Sequence, residues 1–94
     1  MQDSEDVAEQ THAFCHACVE AVCQRHSLHE PRLAAMADAL VTDARVKGVP
    51  MDVLVTEFST FWKAEPDTKK LRPATDTAAY EQSLELLLDR YLSD

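Results

Sequence analysis

An all-α fold, a small four-helix bundle or helical array, is what this sequence predicts, and three observations lead there. The 94 residues contain one glycine, Gly48, whereas hairpin turns and glycine-rich phosphate loops need more left-handed positions than one. No run alternates β-branched or aromatic residues with polar ones between turn residues, so strands have no signal. Four segments instead repeat their apolar residues every three or four positions, which is the period of one helical face.

The first helix is expected from about Ser4 to Arg25. Asp3, Glu5, Asp6 and Glu9 sit near its start, where the helix dipole favours negative charge, and Val7, Thr11, Phe14, Cys18 and Val22 form its stripe. Near Ser27 the pattern breaks. Two starts for the second helix stay open: a Ser27/Glu30 capping box, or Pro31 at the first helical position. That helix runs to about Val46 with Leu33, Met36, Ala37, Leu40 and Ala44 on one face. In "RVKGVP", Gly48 suits the position just past a helix and Pro50 the first position of the next. So short a connection predicts that helices two and three pack as neighbours. The third helix, Pro50 to about Ala64, carries Met51, Leu54, Val55, Phe58, Phe61 and Trp62 at helical spacing. Residues 65–76, with two prolines and no periodicity, read as the one long loop. Thr75 or Asp76 then caps a fourth helix to about Leu92, whose face is Tyr80, Leu84, Leu87, Leu88 and Tyr91. The aromatic residues with polar tips, Trp62, Tyr80 and Tyr91, are expected in the core with those tips in water.

A chain of this length makes one domain over residues 1–94, with room for a single modest core. Seventeen acids against nine bases give a net charge of −8, which repels phosphate backbones and anionic lipid. Direct nucleic-acid and membrane binding are therefore not expected. A helix–turn–helix reading of "RVKGVPMDVLVTEF" fails on chemistry, since its second helix opens without Arg, Lys, Asn or Gln for base edges. Met1 to Asp6 has neither the basic nor the apolar region of an export signal. An odd count of three cysteines then fits reduced thiols and a cytoplasmic location.

Chemistry concentrates in "HAFCHACVEAVCQRHSLH", residues 12–29, which holds every cysteine and histidine of the chain. Linearly, Cys15-x-x-Cys18 and Cys23-x-x-His26 resemble paired zinc ligands. On a helix, however, Cys15 and His26 lie about 16 Å apart along the axis and cannot share an ion. At about 100° per residue, Cys15 and Cys18 fall with Phe14 and Val22 on the inner stripe, while His12, His16 and Cys23 share a flank. The cysteine pair thus reads as core. A smaller zinc hypothesis uses His12 and His16, four residues apart on one face, with Cys15 or a carboxylate from elsewhere. A redox role is weaker, because reactive C-x-x-C pairs occupy an exposed helix N-terminus.

No nucleophile elbow or triad is recognisable, and no enzyme is expected. The basic segment Lys69-Lys70-Leu71-Arg72 reads as solvated chain. Apolar residues off the predicted stripes are more telling: Val53, Leu86 and Leu92 as a partner surface, with Val41 and Val46 flanking the face of helix two. The function expected is protein–protein interaction, as a regulator, adaptor or inhibitor, with self-association as a homodimer included. Zinc binding is the alternative. An acidic inhibitor that mimics nucleic acid is the second alternative.

Overall fold

The computed structural model describes residues 3–92, with side chains described from Val7 onward. The fold is all-α, as expected: α1 (Asp3–Cys23), α2 (Pro31–Val46), α3 (Met51–Ala64), a short 3₁₀ turn η1 (Pro66–Lys70) and α4 (Pro73–Leu92). No strand occurs among the described residues.

Backbone chemistry explains each boundary. Two helices end in the same left-handed device. After α1, Arg25 adopts φ 64°, and the His26 amide donates back to the Ala21 carbonyl at 2.7 Å. After α2, Gly48 adopts φ 74°, and the Val49 amide donates to the Ala44 carbonyl at 2.8 Å. The first helix thus stops at Cys23, two residues before the expected Arg25. For α2 the proline start prevails: Pro31 is in the first turn and Glu30 caps without a side-chain bond. Ser27 Oγ instead accepts from the His29 amide. Pro50 is the N-cap of α3, one position earlier than expected. The expected loop at 65–76 is largely structured. Pro66 nucleates the 3₁₀ turn, and α4 begins at Pro73, before either expected cap, with the Asp76 amide donating to the Arg72 carbonyl.

Packing follows a ring: α1 lies against α2 and α3, and α4 closes the far side on both, touching α1 across the middle. The expectation that α2 and α3 pack together is overturned; they sit on opposite corners of the ring. The extended backbone of Pro50, ψ 156°, carries the chain away before α3 starts. The radius of gyration is 12.6 Å, close to the value of about 12 Å for a compact chain of this length. One core runs through the ring, with Phe14, Cys15, Cys18 and Val19 of α1, Leu33, Leu40 and Val41 of α2, Leu54 and Phe58 of α3 and Leu87 of α4 at 3% exposure or less.

Helix α4 is rotated from the expected face: Leu87 is buried and Tyr80, Leu84 and Tyr91 pack against the core as expected, but the centre of the buried face lies to one side of them. Ala79, Ser83 and Leu87 form its buried centre. Tyr80 and Leu84 lie at the margin, and Leu88 is only half-buried. Small side chains at 79 and 83 let α4 approach α1 closely across the ring, and close packing selects size as well as hydrophobicity. Leu86 falls about 60° from Ser83 on the helical wheel, and it packs half-buried against the core. Val41 likewise belongs to the core rather than its edge.

Candidate functional site

The flank of α1 foreseen for His12, His16 and Cys23 is where the segment after α3 docks. The carboxylate of Glu65, the residue that ends α3, is 6% exposed and lies between two imidazoles. His16 Nδ1 is 3.3 Å from one oxygen and His12 Nε2 is 3.8 Å from the other. Each pair is ionic only when its imidazole is protonated. The His12 ring also rests on Phe61, centroid to centroid 4.9 Å. Further along the flank the Cys23 thiol points to the Asp67 carbonyl at 3.8 Å. Thr68, buried, donates its hydroxyl to the Glu65 carbonyl and closes the turn. Three side chains of the segment 12–29, His12, His16 and Cys23, therefore meet residues 65–68 across a seam, rather than one another around an ion. Among the described residues, no group of three or more His, Cys, Asp or Glu side chains is arranged to hold a metal.

Cys15 and Cys18 face inward and are fully buried. Burial pushes the Cys15 thiol up to about 12, helped by the negative charges of Glu65 and of Cys18 when ionised. Burial takes Cys18 to about 11, with the neighbouring Ser83 hydroxyl pulling the other way. Cys23 is exposed on the surface; the desolvation it does suffer and the Asp67 carboxylate raise it too, with Lys70 pulling the other way. A reactive thiol needs a depressed pKa, and all three move in the opposite direction. Cys15 is thereby separated from His12 and His16, its partners in the zinc hypothesis: the histidines are more than half exposed, and the thiol is inside.

The second candidate is apolar. Val46, Val53 and Leu92 are the large exposed hydrophobic side chains of the described residues, at 79%, 43% and 70% exposure. All three belong to the end of the bundle where α2 turns into α3. Tyr91 ties α4 to that turn, its hydroxyl donating to the Val49 carbonyl at 2.8 Å. Arg45 Nη1 donates to the Tyr91 carbonyl at 3.2 Å, and its guanidinium lies 5.8 Å from the Tyr91 ring. Leu92 is therefore held beside the turn, with Val46 three residues before Val49 and Val53 four after it. Of the three residues expected to form a partner surface, Val53 and Leu92 are at this end; Leu86 packs on the core instead, and Val46 takes its place.

Sequence reasoning passed over Glu65 and gave Asp76 another role. Glu65 carried a faint signal, an acid beside Pro66 at the end of a strongly apolar helix. Asp76 was read as a cap, whereas its Oδ1 accepts the Trp62 Nε1–H at 2.6 Å. The polar tips of Trp62 and Tyr91 are thus bonded within the protein rather than left to water. No helix among the described residues is long and apolar enough to cross a membrane. Comparison with known protein families, with curated proteins and with solved structures finds no match.

Proposed function

We propose that this protein is a cytosolic, non-enzymatic helical module that works by binding another protein, or a second copy of itself, through the α2–α3 end of the bundle. The observation that carries the reading is that Val46, Val53 and Leu92, all exposed, stand on the three helix ends that meet at a turn braced by Tyr91 and Arg45. Apolar surface exposed on a rigid scaffold gains about 25 cal/mol per Å² when a partner covers it. Rigidity also limits the ordering that binding must overcome. Regulator, adaptor and inhibitor are all roles such a surface can serve.

Native mass spectrometry of the untagged protein, across a series of salt concentrations, tests this. The expected result is a dimer, or a complex with a captured partner, that persists at high salt and weakens about tenfold in Val46→Glu/Leu92→Glu. Binding that instead collapses steeply with salt would favour an acidic inhibitor mimicking nucleic acid, since charge pairing is screened. A zinc module is the other alternative. It is supported by the Glu65 carboxylate standing 3.3 and 3.8 Å from the imidazoles of His16 and His12, the half of a shell that a local shift of the exposed His12 would draw together. A stoichiometric zinc increment in the same spectrum, lost in His16→Ala, would establish it over the apolar reading.

A further inference from the structure

Where α1 turns into α2, a cavity of about 520 Å³ opens between residues 25–29 and the first half of α4. Its volume is within the range of about 300–1,000 Å³ typical of small-molecule sites. Arg25, His26 and His29 line one side, Thr75 and Gln82 the other. All five are exposed, so none is closed off by packing. No Asp or Glu occurs among the described lining residues, on a chain where acids outnumber bases seventeen to nine. Asp76, next in sequence to Thr75, is turned away to the Trp62 indole. His26 meets Glu30 at 3.4 Å, whereas no ion pair among the described residues engages Arg25 or His29. Arg25 carries a second signal. It follows α1 at φ 64°, the left-handed geometry that Gly48 fills after α2 at φ 74° and that glycine adopts without strain. An arginine held there is a backbone outlier of the kind that collects at functional sites, and its side chain stands at the cavity.

We propose that this cavity binds a phosphomonoester. The guanidinium fork matches two phosphate oxygens. Each imidazole supplies an N–H whether protonated or neutral, and Thr75 adds a hydroxyl. A carboxylate has two oxygens to offer such a set, whereas a phosphate has more oxygens and a double charge that suits several cations. Val22 and Ala78 leave an apolar wall for the organic part. At long range the net charge of −8 opposes any anion, so retention depends on this local reversal of sign. The cavity precedes α2 and Val46 ends it, so the site stands apart from the apolar surface.

The experiment follows backbone amide NMR shifts of the intact protein titrated with glycerol 3-phosphate and, in parallel, with glycerol. The expected result is saturable shifts confined to residues 22–29 and 74–82 with the phosphate, and none with glycerol. In Arg25→Gly the urea midpoint should hold or rise, since glycine suits that backbone, while affinity falls about tenfold. His29→Gln, which keeps an N–H donor and loses the cation, should weaken binding by a smaller factor. A phosphoserine peptide serves as a second probe: tighter binding than glycerol 3-phosphate assigns the group to a modified protein side chain, and weaker binding to a free small molecule. Shifts spread over the whole surface, an equal response to glycerol, unchanged affinity in Arg25→Gly, or a lowered urea midpoint in that variant would overturn the proposal.

Discussion

The inner face and the flank of α1 are built from the same residue types and behave as different materials. Inside, Cys15 and Cys18 pack with Phe14 as small hydrophobes, and Phe14 meets Phe58 at 5.8 Å. Outside, about a quarter-turn away, His12, His16 and Cys23 keep more than half their imidazole surface or their thiol in water and hold Glu65 and Asp67. A cluster that is dense in the linear sequence is divided in space by the helical period, and each half takes its properties from what the fold lays against it.

Perturbing one half at a time should separate them. The largest effect belongs to the inner face: Phe14→Ala should lose about 3–5 kcal/mol in urea unfolding, the usual range for emptying a buried aromatic site. A loss under about 1 kcal/mol would mean that α1 is not the centre of the core.

Next comes alkaline pH. Unfolded thiols lose their proton near 9, whereas folded Cys18 and Cys15 keep theirs to about 11 and about 12. In that window the folded state binds more protons than the unfolded one, so stability falls as pH rises. The double variant Cys15→Ala/Cys18→Ala should show a flatter fall of the urea midpoint between pH 9 and 11 than the parent; parallel curves would mean the thiols are not held neutral by burial.

On the flank the effects shrink. Glu65→Ala removes a buried charged acceptor but leaves its partners able to turn to water, and should cost about 1–2 kcal/mol. His12→Ala gives up a contact at 3.8 Å made by a half-exposed ring and should shift stability by no more than about 0.5 kcal/mol. A His12 effect matching that of Glu65 would erase the distinction between the two halves.

Much of this division was readable in advance. Angular position alone put Cys15 and Cys18 inside and His12, His16 and Cys23 together outside, because both assignments depend only on the period of the helix. The position of Gly48 followed from its need for a positive φ. What was not readable depended on distance rather than period. Glu65 is 49 residues from His16, and nothing local marks the two as neighbours. The centre of the α4 face was placed to one side because leucines were weighed by hydrophobicity, whereas Ala79 and Ser83 take the crowded side by being small. The ring order, with α2 and α3 on opposite corners, reversed the inference from a short connection, since α1 occupies the place between them. Arg25 in a left-handed conformation was also invisible: glycine announces that geometry, and arginine does not.

The central position of α1 has a consequence for how the chain comes into being. Helix α1 contacts every other element, yet it precedes them all in chain order. During synthesis, at about 5–20 residues per second, it emerges with both its cysteine face and its histidine flank unpartnered, and an isolated helix of this length is only marginally stable in water. The 65–70 turn that covers the flank arrives seconds later, and α4, which closes the ring, later still. The nascent chain therefore passes through an interval in which the helix that every other element packs on is open to chaperones, to oxidants or to the same helix on a neighbouring chain.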